Sequence, residues 1–480
     1  MDAADGQLDP RPRPPGSTEV AFRRHSEGSL GPASRLAATF LILILIGTVL
    51  LSLPAARLPG HDLDRVDALF MATSATCLTG LASVNVAESF TPFGQSVLLV
   101  LIQLGGLGIT TAGTLFILWR RGGGSLAGED FIVANVGRLR EARPTDVFIY
   151  SCFVVLTLEL LGTVTLTHLL LSGDSEASFR DAVWQAAFHS VSAFCNAGLT
   201  LHPDGLVHWR HRPGILLVIS LLVFLGSIGL LTLVNFRYYY PWRRDRLQRG
   251  RLTLQTRLCI GVSLALLLLG TILTLLSESD QTLEGQPWPQ AVLWSFVHST
   301  MTRSGGFNVV DTGAMAPETL LGSLALMFVG GAPGSMAGGI KVTTLVLLAA
   351  VAWASLRRRS DLVVGRHTIP PDQAANAVMV TLLSALAVVL AVGLLMNIES
   401  AHASPENPID WLAIAFEAVS ALATVGLSTG ITPDLAPASK AIVVVLMFVG
   451  RLGPLCLAMH LARPAHPHRV TFPRENIIVG

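Results

Sequence analysis

Four glycines, Gly80, Gly198, Gly306 and Gly426, fall at spacings of 118, 108 and 120 residues and constrain this chain more than any other feature. Ten positions before them stand Phe70, Phe188, Phe296 and Phe416, and six positions before them the hydroxyl residues Ser74, Ser192, Thr300 and Ser420. Each glycine is followed by Leu81, Leu199, Phe307 or Leu427. A second set, Gly105, Gly226, Gly330 and Gly450, lies 25, 28, 24 and 24 residues downstream. Self-similarity at a fixed period predicts one structural unit used four times.

The unit is read from the apolar runs. Long ones fall near 36–54, 95–119, 147–171, 214–236, 256–277, 319–356, 374–397 and 439–462. Each is long enough to cross ~30 Å of hydrocarbon as a helix. Within each successive pair lies a shorter segment rich in Ser, Thr and Gly, near 67–82, 183–200, 291–308 and 411–428. These segments are too short and too glycine-broken to span. They fit re-entrant helices followed by irregular backbone, which lipid excludes unless protein or water covers it. Composition agrees: 51% of the 480 residues are hydrophobic and 14% charged, against roughly 25% charged in soluble domains. Net charge is +1, which gives no pointer to a nucleic-acid partner.

The predicted fold is an all-α polytopic membrane protein of four span–pore loop–span (M1-P-M2) repeats with pseudo-four-fold symmetry around one pore. Predicted boundaries are a disordered tail over 1–34, repeats over 35–119, 146–236, 255–357 and 373–463, and a tail over 464–480. Basic residues cluster in 120–143, 237–257 and 357–366 and alternate with poorer loops. By the positive-inside rule both termini and the Arg-rich loops are cytoplasmic. A dehydrated cation needs oxygens in place of water, and extended backbone aimed at one axis supplies carbonyls. Glycine permits the required φ values and the close approach of four chains, and a helix C-terminus aimed at the axis favours a cation.

These segments resemble a known family. "SATCLTGL", "FHSVSAFCNAGL", "TRSGGFN" and "FEAVSALATVGLSTGIT", with "QLGGLGI", "MFVGGAPGSMAGGIKVTT" and "MFVGRLGPL" between them, look like the membrane subunit of the Trk/Ktr/HKT potassium transporters, nearest the KtrB type. The tail "FPRENIIVG" is similar to the short tail of that type. The resemblance covers roughly 36–480 and implies that Thr79, Gly80, Ala197, Gly198, Gly305, Gly306, Val425 and Gly426 form a K+ selectivity filter. A serine at the first glycine accompanies sodium preference in some plant relatives, so Gly80 implies potassium. Departures are Gly305, where the family often has Ala, and Cys77 and Cys195, where it often has Asn or Val. The resemblance further implies a homodimer on a cytosolic ring of nucleotide-binding (RCK/KtrA-type) regulatory subunits, in the bacterial inner membrane. No cofactor is expected on this chain; K+ is the transported ion, with Na+ the candidate coupling or activating ion.

Gly330, Gly331, Gly334, Gly338 and Gly339, with Pro333 and Ser335, interrupt the second span of the third repeat. Such a run does not stay helical without cost and reads as an unwound intramembrane loop, which in the family acts as a gate. Lys341 closes it, either snorkelling to the interface or anchoring the loop through a carbonyl or carboxylate. Arg451 stands 25 residues after Gly426 at a depth where charge is costly; the resemblance puts it in the lower pore beside the loop, a salt bridge being the alternative. Arg303 is expected to brace the filter from behind, against Glu417 or Asp67. Glu159 needs a partner that the sequence does not name. His189 and His298 read as hydrogen-bonded interior residues, and His460, His466 and His468 as a solvated tail. The five cysteines form no metal spacing or disulfide framework. No nucleophile elbow, phosphate loop or dinucleotide fingerprint occurs, so no enzyme is predicted. Two alternatives stand beside the potassium reading: a sodium or non-selective monovalent cation transporter of the same fold, and a secondary transporter for a small solute. The second predicts two inverted halves rather than a four-fold direct repeat.

Overall fold

The computed structural model of the chain describes residues 32–60, 63–119, 144–173, 178–229, 232–233, 252–359, 361–365, 367–402 and 410–453. Segment 120–143, most of 237–257 and both tails, with His460, His466 and His468, lie outside these residues. The described chain is almost wholly helical. Its order is α1 (Pro32–Ser52), α2 (Arg65–Cys77), α3 (Pro92–Trp119), α4 (Pro144–Gly173), α5 (Phe179–Phe194), α6 (Pro213–Ile228), α7 (Leu254–Ser277), α8 (Trp288–Met301), α9 (Pro317–Phe328), α10 (Val342–Leu356), α11 (Pro371–Ser400), α12 (Trp411–Leu422) and α13 (Pro437–Leu452). A two-residue antiparallel pair, Val363–Val364 with His367–Thr368, joins α10 to α11.

By length and composition three described helices suffice to cross a membrane, within α4, α7 and α11. They turn apolar side chains outward: Phe153 is 65% exposed, Leu276 70% and Val389 68%. An outward apolar girdle of this kind belongs against lipid. The short helices α2, α5, α8 and α12 are buried inside it. Three of the four aligned phenylalanines, Phe70, Phe188 and Phe416, are fully buried.

Sequence dictates the ends. Helices α3, α6, α9 and α13 all open on proline, where its fixed φ suits the first turn and its missing N–H costs nothing. Asp64 and Asp410 cap α2 and α12 through their carboxylates, satisfying amides that lack an intrahelical partner. Helices α2, α5 and α12 close alike: the amides of Thr79, Ala197 and Val425 reach back to the carbonyls of Ser74, Ser192 and Ser420 at 2.9, 2.7 and 2.9 Å. Such closures satisfy the orphan carbonyls of a helix end. After α8 both Gly305 and Gly306 reach the Met301 carbonyl instead.

Between α7 and α9 a buried carboxylate ties two helix ends. Glu278 accepts from the Thr282 hydroxyl and amide at 2.7 and 3.3 Å and from the Ala316 amide at 2.9 Å, just ahead of α9. Glu399 makes the corresponding bond to the Ala436 amide ahead of α13, at 3.1 Å. Burial opposes charge on Glu278, but bonds from Thr319, Thr282 and the Ala316 amide outweigh it and hold its pKa below the usual carboxylate value. A carboxyl depressed in the folded state stabilises above its unfolded pKa and loses that contribution as pH falls through the folded value. Glu278→Gln should therefore lower thermal stability in detergent by about 1–2 kcal/mol at neutral pH. The gap to the parent should close as pH drops below about 4; a gap independent of pH would contradict an ionised Glu278.

Candidate functional site

The site is built from the four glycines, which the fold brings edge to edge. A Cβ added to Gly80 would lie 2.6 Å from the Ala197 carbonyl oxygen and 3.1 Å from Gly198 Cα. On Gly198 it would lie 2.9 Å from Gly306 Cα and 3.2 Å from the Gly305 oxygen. On Gly306 it would meet the Val425 oxygen at 2.5 Å, and on Gly426 the Thr79 oxygen at 2.2 Å. The order runs 80, 198, 306, 426 and back to 80, so the ring closes. Each glycine abuts the carbonyl of the residue preceding the next glycine. All four have positive φ, from 68° to 92°, which an L side chain adopts only with strain. Two residues before each glycine stands a second positive φ: Leu78 at 56°, Asn196 at 56°, Ser304 at 67° and Thr424 at 47°. The four loops thus share one backbone course. Thr79, Gly80, Ala197, Gly198, Gly305, Gly306, Val425 and Gly426 all belong to this ring and all are buried.

The downstream glycines make room for it. A Cβ on Gly105, Gly226 or Gly450 would lie far inside van der Waals contact, at 2.1, 2.0 and 1.9 Å, of the carbonyl oxygens of Thr76, Phe194 and Leu422. The C-terminal ends of α2, α5 and α12 therefore rest directly on α3, α6 and α13. Gly330 departs: its missing Cβ faces the Gly338 carbonyl at 1.9 Å, inside its own segment.

That segment, 329–341, is not helical. It doubles back, with Gly330 donating to the Ile340 carbonyl and Ile340 to that of Phe328. Amides of Ala332 and Met336 bond the carbonyls of Ser227 and Gly226 at the end of α6. A Cβ on Gly338 would strike the Thr424 hydroxyl and one on Gly106 would sit 3.5 Å from Met336 Sδ. The segment thus touches α6, α3 and the fourth loop. Lys341 donates from Nζ to the Ala337 carbonyl at 2.6 Å, the carbonyl anchor rather than the snorkelling arm. Arg451, 5% exposed, donates to the carbonyls of Met336 and Gly105. Gly331, Gly334, Ser335 and Gly339 complete this segment.

Arg303 is placed differently from expectation. Its guanidinium donates to the Ser263 carbonyl and hydroxyl at 2.6 and 3.2 Å and to the Gly330 carbonyl at 3.1 Å. Neither Glu417 nor Asp67 is its partner: Glu417 accepts from the hydroxyls of Ser428 and Thr432, and Asp67 pairs with Lys440 at 3.0 Å. Carbonyls supply what a buried guanidinium needs, and their positions cannot be read from residue type. Arg303 still braces the third loop from behind, tying it to α7 and to the unwound segment. Glu159 finds the Gln103 amide at 3.1 Å and the Cys195 thiol at 3.5 Å. His298 bonds the Ser323 hydroxyl at 2.9 Å. His189 bonds the Gln185 carbonyl through Nδ1 and accepts from the Leu201 amide at Nε2.

Sequence reasoning missed the hydroxyl anchors. Ser74 and Ser420 accept from the amides of Gly80 and Gly426, both at 3.0 Å. Their shared offset was visible but not their role. Ser192 instead donates to the Leu199 carbonyl at 2.7 Å, and Thr300 bonds back into its own helix at Phe296.

Against this geometry stand the likenesses to known proteins. The TrkH family model, described as a cation transport protein, matches residues 32–467. The chain belongs to the TrkH family. It is 32% identical to Ktr system potassium uptake protein B of Bacillus subtilis over 94% of this chain and 97% of the relative. It is 30% identical to the potassium/sodium uptake protein NtpJ of Enterococcus hirae over 94% and 98%. The crystal structure of the potassium transporter TrkH from Vibrio parahaemolyticus superposes with a TM-score of 0.67, covering 92% of this chain and 87% of that one at 19% identity. The fold is thus the TrkH transporter fold, and the protein is embedded in a membrane.

Arg303→Lys should keep the charge but lose the fork that reaches Ser263 and Gly330 together. The expected loss is about 1.5–3 kcal/mol of thermal stability in detergent; an unchanged melt would contradict the brace.

Proposed function

We propose that this TrkH-family chain is the ion-translocating subunit of a Ktr/Trk-type system that takes up potassium through the glycine ring. The observation that carries this reading is the closed ring itself, in which the carbonyls of Thr79, Ala197, Gly305 and Val425 lie against successive glycines. A ring of backbone oxygens can replace the hydration shell of a dehydrated cation. In this reading four repeats, 35–119, 146–236, 255–357 and 373–463, are arranged with pseudo-four-fold symmetry around the ring. The unwound segment 329–341, fastened by Lys341 and Arg451, is the gate: a glycine-rich piece with two arrangements opens and closes the pathway below the ring. Arg451 adds a fixed positive charge there, which raises the barrier to cations until the segment moves.

The name of the Bacillus relative, a Ktr system protein, supports a multi-component assembly. We infer a homodimer in the bacterial inner membrane, both termini cytoplasmic, regulated in trans by a nucleotide-binding ring. A second reading, uptake of sodium as well, is favoured by the potassium/sodium name of the Enterococcus relative; Na+ would then be a coupling or co-transported ion.

The test is radioactive rubidium uptake into proteoliposomes, with excess K+ or Na+ as competitor. Uptake should be suppressed by K+ and little affected by Na+. In Gly80→Ser the added Cβ is forced against the Ala197 oxygen, and the preference should fall about tenfold, the equivalent of ~1.4 kcal/mol. Equal competition by the two ions in the parent would overturn the potassium reading and leave the second standing.

A further inference from the structure

The third loop of the ring is held unlike the others. In the first and fourth loops a serine of the loop's own short helix bonds the glycine amide. In the second and fourth, residues at one register, nine before the glycine, reach the chain that follows it. His189 accepts from the Leu201 amide, and Glu417 accepts from Ser428 and Thr432. The same register in the first and third helices holds Met71 and Val297, which have no oxygen or nitrogen acceptor to offer. After Gly306 the described bond comes from another repeat: the Leu206 amide donates to the Asn308 carbonyl at 2.9 Å. Gly205, at φ 61°, makes this approach possible, since a Cβ there would fall 1.8 Å from Asn308 Oδ1. A few residues on, the Arg210 carbonyl accepts from Trp294 Nε1 of α8 at 2.9 Å, with His211 edge-on to the same ring. Segment 199–212 therefore grips the third loop and its supporting helix at two points.

What shapes the segment is a column of aromatic rings. His202 stacks on His208 with centroids 4.4 Å apart and an interplanar angle of 11°. It is also stacked with His189 at 5.7 Å and 26°, while Trp209 stands edge-on at 4.5 Å. His202 Nε2 is buried without a hydrogen-bond partner, whereas His208 is exposed. The titratable groups facing His202 are His189 from α5, His208 from the 3-10 turn Gly205–Trp209, and Asp204 from the chain between them.

We propose that segment 199–212 is a strut that positions the third filter loop from the neighbouring repeat, and that its histidine stack makes the ion preference of the pore sensitive to acid on that face. The proposal rests on the filter reading. Trp294 and His202 are positioning residues in it; neither is assigned contact with the ion. Burial first, then the field of His208, hold the His202 pKa down to about 4 against the pull of Asp204. His202 is therefore neutral at neutral pH. Protonation places a cation between two neighbouring imidazoles and drives the stack apart.

Trp294→Phe removes the Arg210 bond while keeping an aromatic ring, and His202→Phe keeps a ring that cannot take a proton. Rubidium uptake competed by K+ or Na+ should show about fivefold weaker potassium preference in Trp294→Phe, the scale of one hydrogen bond. The parent should lose preference reversibly as external pH falls from about 7 to about 4; His202→Phe should not. Amide exchange read by mass spectrometry over residues 306–310 gives a measurement that needs no transport. It should rise in Trp294→Phe and, relative to His202→Phe, in the acidified parent. Parent-like exchange in Trp294→Phe, or an acid response retained in His202→Phe, overturns the proposal. Raised exchange in a parent that shows no potassium preference would instead keep the strut and remove the filter reading.

Discussion

Four backbone segments meet here at a distance that excludes even one methyl group, and the rest of the molecule is arranged around that approach. Converging carbonyls repel one another, and eight residues, the glycines and those two places before them, sit at positive φ. Neither condition survives without a frame that over-determines it. Lipid cannot supply a hydrophobic drive between helices, so the frame relies on close packing and internal hydrogen bonds. Gly105, Gly226 and Gly450 provide the packing by letting three short helices rest on bare backbone. Serine hydroxyls, the Arg303 fork and the Arg451 fork provide the bonds.

The likeness of the four loops is closest at the glycine ring and lapses behind it. Loops one and four anchor the glycine amide on serine, loop two holds the chain after its glycine with a serine and a histidine, and loop three relies on an arginine together with a segment of the neighbouring repeat. The third repeat also carries the broken span. Its Gly330 gives up the packing role of its counterparts and faces Gly338 instead. Its carbonyl, freed from a helix, accepts from Arg303. One side chain thus links the loop at the ring to the unwound segment 329–341, so the two share a support in this repeat alone among the described residues.

Much of this was legible in the sequence. The offsets of Phe70, Ser74 and Gly80 and their counterparts name the re-entrant helix and its turn, and the glycine run at 330–339 predicts where α9 stops. The partners of the buried charges were not legible. Arg303 was expected on a carboxylate because carboxylates are visible in a sequence, whereas its acceptors are the carbonyl and hydroxyl of Ser263 in α7 and the carbonyl of Gly330 in the unwound segment. Glu159 found Gln103 and Cys195 across two repeats, a pairing that no local pattern encodes. The left-handed residues Leu78, Asn196, Ser304 and Thr424 share a conformation but no side-chain chemistry, so only the turn that contains them could announce them.

The most direct test of the account is anomalous diffraction from crystals grown with rubidium or thallium in place of potassium. An ion peak on the axis enclosed by the carbonyls of Thr79, Ala197, Gly305 and Val425, weakened by added K+, is the predicted result. A ring with no peak, in crystals where the ion is ordered elsewhere in the protein, would contradict it.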